Sequence, residues 1–400
     1  MFSSRTQWNM IPNQLSEAVE AKRQSGETIV DLTESNPTRC GISYPENEIL
    51  AALANESSLK YQPEPRGHLA ARKAIAEYYR THDVRINPEH ILLTASTSEA
   101  YSFLFKLLCD TEDELIVPQP SYPLFEYLCQ LNDVALRHYR LAYDGEWHID
   151  IESLESACNN RSRAIVLVHP NNPTGSFLKQ DEYERVCALA VEHHCALIAD
   201  EVFGAYYFSS DTRRAAIVPS NNSLLTFSLN GISKLLGLPQ FKLSWIVVHG
   251  HPQQRDEVLR RLDIIADTFL SVNTPVQGAL QKLFDHSNDI GNQIHMRVQS
   301  NYRFLQKVFL HSSASVFHVE GGWYAILRLP QFLTDDEWAL ELLRQQNILI
   351  HPGHFYNMNH SSCIVLSLLP LPDIFAAGTV QIRMFIEQVQ SNNNSTTCIK

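Results

Sequence analysis

The sequence predicts an α/β protein, with a large domain on a mostly parallel sheet between helices and a smaller α+β domain after it. Three observations carry this. Short, continuously apolar runs alternate with amphipathic stretches through the first two thirds of the chain, the pattern of buried strands joined by crossover helices. Near Arg255 the pattern changes to long helices interleaved with two or three strands. A chain of 400 residues also exceeds what one core usually organises.

The elements follow in order. HLAARKAIAEYYRTH has helical spacing, ILLTAS reads as a strand, TSEAYSFLFKLL as a helix, ELIVP as a strand and YPLFEYLCQL as a helix. AIVLVHP, DEYERVCALAVEHH and CALIAD continue as strand, helix and strand, and SLLTFSL and SWIVVHG close the series. Helices are then expected over 256–266, 275–284, 290–309, 335–345 and 373–389, with strands over 315–319, 323–329 and 363–368. The polar tail SNNNSTTCIK is expected to fray. The division drawn is an N-terminal segment 1–45 packing on the small domain, a large domain 46–264 and a small domain 265–400.

A net charge of −12 with no Lys/Arg run argues against a nucleic-acid partner, which needs a basic face. The start MFSSRTQWNMIPNQ has no apolar signal region, and no run approaches 18 apolar residues, so neither a secretory signal nor a membrane span is expected. The eight cysteines, including Cys398, form no CxxC. They read as reduced thiols of a cytoplasmic protein. No metal site is expected: His193–His194 and His351/His354 lack ligand spacing such as HExxH.

Three segments carry chemistry. AIVLVHPNNPTG runs a strand into Asn172, and CALIADEVF runs one into Asp200. Ligands of doubly wound sheets sit outside such carboxyl ends, and a buried carboxylate there is costly unless paired. SLNGISKLLGLPQFKLSW puts Lys234 in a turn between two apolar strands, where a lowered pKa makes a lysine nucleophilic.

The series Asn172, Asp200, Lys234, Lys242 resembles the class I/II aminotransferases, pyridoxal 5′-phosphate (PLP) enzymes of fold type I, over nearly the whole chain. PSYP around Tyr122, the segment from Thr94 to Ala100, Tyr61 with Gly67, GGWY at 321–324 and Pro352-Gly353 agree with it. The resemblance implies a seven-stranded type of sheet and a Schiff base between PLP and Lys234, which then serves as the base for the α-proton. Ser96, Thr97 and Ser98 with Lys242 and Ser233 would hold the phosphate, Lys242 standing where the family usually has an arginine. Tyr122 would stack on the pyridine, Asp200 would keep its nitrogen protonated, and Asn172 would bond the ring 3′-oxygen and border the substrate. Tyr61 would reach the phosphate of a neighbouring subunit in a homodimer.

Three departures stand against the family pattern. Phe203 replaces a tyrosine that bonds the 3′-oxygen, Gly231 replaces a serine three residues before the lysine, and Val365 replaces the arginine that grips the substrate carboxylate. Arg39, in SNPTRCG, is the expected replacement clamp, with Arg66 as the second candidate. The reading is therefore an aminotransferase for an amino acid or related amine and a 2-oxo acid. The alternatives are a PLP lyase or decarboxylase, for which Val365 and Phe203 speak, and a PLP-binding protein without turnover.

Overall fold

The computed structural model describes residues 1–216, 224–358 and 362–397. The main sheet has strands β1 (Ile91–Thr94), β2 (Glu114–Gln119), β3 (Ala135–Tyr143), β4 (Trp147–Ile149), β5 (Ser162–Val168), β6 (Ala196–Asp200), β7 (Thr226–Gly231) and β8 (Ser244–His249). Their order is β1-β8-β7-β6-β5-β2-β3-β4. Pairing is parallel across β7, β6, β5, β2 and β3, whereas β8 is antiparallel to both neighbours and β4 returns antiparallel on β3. Thus β1, β2, β3, β5, β6 and β7 point the same way, and their carboxyl ends share one edge.

The apolar runs form strands because both faces are covered. Leu115, Val117, Ala164, Val166, Ala196 and Ile198 pack into one core, with the helices Thr97–Leu108 and Pro252–Phe269. Their alternates Ile116, Ile165, Leu167, Leu197 and Ala199 pack into the core on the other face, as period-two side chains must. The strands β3 and β4 are additions to the sequence reading. β3 lies near the sheet edge with a largely exposed, charge-bearing face, so it lacks the apolar run that marks a central strand.

A second, four-stranded sheet has β9 (Ser315–Val316), β10 (Tyr324–Arg328), β11 (His351–Pro352) and β12 (Cys363–Ser367) in the order β9-β10-β12-β11, all antiparallel. The N-terminal residues Val30–Asp31 pair in parallel with Ile348–Leu349. The final helix runs Pro372–Thr397, so the polar tail does not leave the helix where its composition suggested. Cys398 lies outside the described residues. The other seven cysteines are free thiols, and no helix among the described residues is long and apolar enough to cross a membrane.

Candidate active site

The strand ends gather the predicted groups. β6 ends on Asp200, whose ladder partners are Val168 at the end of β5 and Leu229 in β7. Asn172 follows β5, Pro120-Ser121-Tyr122 follows β2, Ser96-Thr97-Ser98 follows β1, and β7 runs directly into the short helix Ile232–Leu235 that carries Lys234. The hydroxyl of Tyr206 donates to the carbonyl of Lys234 at 2.7 Å and fixes that helical turn.

Asp200 is buried. Its Oδ2 accepts from the Tyr101 hydroxyl at 3.0 Å and its Oδ1 from the Val202 amide at 3.1 Å. Burial raises its pKa to about 6, against the pull of these two hydrogen bonds and of the Lys234 charge. Lys234 is partly buried, and its Nζ lies 5.1 Å from the Trp323 ring centroid and 5.7 Å from that of Phe203. Burial lowers its pKa to about 8; the Asp200 charge works the other way and Lys242 adds to the lowering. Acid and amine therefore change charge on either side of neutrality, each within reach of the other's charge.

Around them stand buried polar atoms without partners: Ser121 Oγ, Asn171 Oδ1, Asn172 Oδ1 and Trp323 Nε1. Buried polar groups are ordinarily satisfied, so this concentration marks a place built for a polar ligand. Asn171 itself is pinned, with Nδ2 donating to Pro120 O and Thr174 Oγ1.

The helix Thr97–Leu108 is capped by Ser96, whose hydroxyl accepts from the Glu99 amide at 3.1 Å, while Glu99 returns a carboxylate oxygen to the Ala95 amide at 2.7 Å. Thr97 and Ser98 sit in the first turn, where backbone N–H groups lack intrahelical acceptors and favour an anion. Ser233 is partly buried in the Lys234 turn. Lys242 is exposed and left-handed, with φ 52°. Tyr122 leaves 47% of its surface exposed.

The departures have physical settings. Phe203 is buried and meets Trp323 edge-on at 5.3 Å, so an apolar ring fills the position beside Lys234. A Cβ on Gly231 would lie 2.2 Å from Ser244 Oγ; the Ser244 side chain occupies the volume a serine at 231 would need. Val365 is fully buried in β12 between Ile326 and His351 and presents no charge.

The two arginines differ. Arg39 is 75% exposed and makes a long 3.8 Å ion pair with Glu34. Its loop borders the site: Ser35 hydrogen-bonds Tyr324, whose hydroxyl also feels Tyr122 and Glu34. Arg66 is committed elsewhere, with Nε and Nη2 both 2.6 Å from the Asp263 carboxylate and Nη1 2.9 Å from Glu89 O. Tyr61 stands apart from this group in its own chain, 85% exposed, on a loop bordering a cavity with Gly67, Leu93 and Phe103. His354, read as an ordinary histidine, lies with Asp335 and Asp336 at the start of the helix Asp335–Gln346, their ligand atoms within 4.8 Å of one another.

Tyr101 and Trp323 are the contributors the sequence reading missed as site residues. Tyr101 reads as one more apolar position of an amphipathic helix, and nothing local signals its bond to an aspartate 99 residues away.

The family model for aminotransferase class I and II matches residues 27–370. The glutamate-pyruvate aminotransferase AlaA of Haemophilus influenzae is 24% identical over 376 residues, covering 91% of this chain and 92% of that protein. The tyrosine aminotransferase of Mus musculus is 24% identical over 405 residues, covering 94% and 88%. Among solved structures, an alanine aminotransferase from Pyrococcus furiosus superposes with a TM-score of 0.87 at 22% identity, over 97% of this chain and all of that one. An aminotransferase from Escherichia coli superposes with a TM-score of 0.86 at 23% identity, over 97% and 98%.

Proposed function

The chain belongs to the aminotransferase class I and II family, and from that premise we propose that it works with PLP held on Lys234. Its reaction is transfer of an amino group between an amino acid and a 2-oxo acid. The observation that carries the cofactor reading is that Lys234 and Asp200, each feeling the other's charge, stand among buried polar atoms without partners. An amine, a buried carboxylate, orphaned amide and hydroxyl groups and a helix N-terminus are together the groups that fit PLP. When bound, the cofactor supplies an electron sink for charge that develops at the substrate's α-carbon.

The residues divide the work. Asp200, ionised above about pH 6, offers its carboxylate to the ring nitrogen, and Tyr101 and Val202 fix its direction. Lys234, with a pKa near 8, accepts and returns the substrate's α-proton as general base and acid. Phe203 and Trp323 set apolar ring faces 5.7 and 5.1 Å from its amine. The first turn at Ser96, Thr97 and Ser98, with Ser233 and Lys242, holds the phosphate by backbone N–H groups, hydroxyls and charge. Tyr122 would cover the cofactor's ring. Asn172 would serve the ring oxygen and the substrate, a turn of its amide presenting Nδ2 in place of the orphaned Oδ1. Arg39, loosely paired and free to swing, takes the substrate carboxylate in place of the residue missing at Val365. The exposure of Tyr61 supports a homodimer in which it completes the neighbouring site. The seven free thiols support a reducing compartment, the cytoplasm.

The test is the half-reaction. Given an amino donor alone, the purified holoenzyme is expected to release one equivalent of 2-oxo acid and to convert its cofactor to the amine form, reversed by a 2-oxo acid. Continuous release of pyruvate, ammonia or carbon dioxide without an acceptor would instead identify a lyase or decarboxylase.

A further inference from the structure

A cavity of about 460 Å³ lies against the end of the Lys234 turn, at Leu235. It is bordered by the residues that follow the two central groups, Glu201 after Asp200 and Leu235 after Lys234, and by Tyr206. The Tyr206 hydroxyl bonds the carbonyls of Lys234 and Leu235 at 2.7 and 3.3 Å. The roles assigned above leave this cavity unused.

Two lining charges lack ion-pair partners among the described residues. The first is Arg214. Its guanidinium carbon sits 3.6 Å above the Phe177 ring centroid and 5.2 Å from that of Tyr207. Nη2 donates to Ser209 O at 3.1 Å, while Nε is buried with no partner. The acids whose charge it feels are taken: Glu320 by Lys179 at 2.7 Å and Asp211 by Arg213 at 2.8 Å. The second is Glu201, which takes a hydrogen bond from Ser228 and has no cation. Burial first, and then the neighbouring Asp200 charge, push its carboxyl up to about 7.

Burying an ion without its counterion is costly. A stacked guanidinium with an unused N–H edge is a rigid receptor for a carboxylate. An acid among tyrosine and asparagine side chains, here Tyr79 and Asn230, is matched by an ammonium. We propose that this cavity is a second binding site, separate from the cofactor site, for a free amino acid, with Arg214 taking the carboxylate and Glu201 the ammonium. An occupant touches Tyr206 and so bears on the turn that carries Lys234.

The experiment is calorimetric titration of the protein after borohydride reduction, which removes exchange at any lysine-bound cofactor. The probes are L-alanine, L-lysine, L-glutamate and propionate. At least one amino acid is expected to bind saturably. Arg214→Lys, which keeps the charge but loses the planar stack and the fork, is expected to weaken it about tenfold, the scale of one charge-assisted bidentate contact. Arg214→Met is expected to abolish it, and Glu201→Gln to weaken the amino acid while sparing propionate. No saturable binding to the unsubstituted protein overturns the proposal. So does binding that Arg214→Lys and Arg214→Met leave unchanged, which assigns the ligand to the cofactor pocket. The cofactor's absorbance in each variant reports separately on the Lys234 reading.

Discussion

Removing one hydroxyl, in Tyr101→Phe, tests how Asp200 is held. The Tyr101 ring keeps its packing against Phe125 at 5.2 Å and Phe105 at 5.9 Å, so the substitution deletes the 3.0 Å bond to Oδ2 and little else. A hydrogen bond to a charged group contributes about 1.5–3 kcal/mol, and it favours the ionised carboxylate over the neutral one. At about 1.4 kcal/mol per unit, its loss raises the Asp200 pKa by roughly one to two units above its present value of about 6. At neutral pH the carboxylate proposed to meet the ring nitrogen is then partly protonated. PLP affinity of the apoprotein, titrated by absorbance, is expected to fall by about tenfold or more at pH 7, the factor that corresponds to such an energy. The sign in the apoprotein follows. A carboxyl whose folded pKa lies above its unfolded value of about 3.9 contributes stability at low pH that is lost as pH rises through the folded pKa. The stability of Tyr101→Phe should therefore fall more steeply above pH 6 than that of the unsubstituted apoprotein, in which Asp200 loses its proton around that pH and Glu201 titrates alike in both proteins. Cofactor affinity within twofold of the unsubstituted protein, with no change in this pH dependence, would refute the reasoning.

Phe203→Tyr is expected to lower the pH midpoint of the bound cofactor's absorbance, because a new hydroxyl near Lys234 stabilises the deprotonated form; an unchanged or raised midpoint means residue 203 does not face the ring oxygen. Arg39→Ala is expected to lower kcat/KM for an amino acid by roughly a hundredfold, about 3 kcal/mol on the scale of an unpaired desolvated charge, and to spare the matching amine; equal losses on both substrates assign Arg39 to the fold or the cofactor. The rate at which PLP attaches to the apoprotein is expected to rise with pH and level off above about 8, since the neutral Lys234 amine is the nucleophile and its pKa lies there; a rate still climbing towards pH 10 contradicts that environment.

The sheet and the strand ends were legible because buried parallel strands are continuous apolar runs, and Asn172, Asp200 and Lys234 directly follow or end such runs. The strand Ala135–Tyr143, next to the sheet edge, was not, since its exposed residues break the run. Pairings across the chain were beyond the reach of local pattern. Tyr101 looks like any core aromatic until Asp200 is brought to it, and Arg66 looks like a candidate clamp until Asp263, 197 residues away, closes on it. Composition also underestimated the last helix, because Asn and Ser are poor helix formers yet Pro372–Thr397 remains helical through them.

The central claim is that Lys234 carries the cofactor. Borohydride reduction of the holoprotein followed by peptide mapping tests it most directly. The account predicts a single phosphopyridoxyl group on Lys234. The same group on another lysine, or no modified peptide at all, contradicts it.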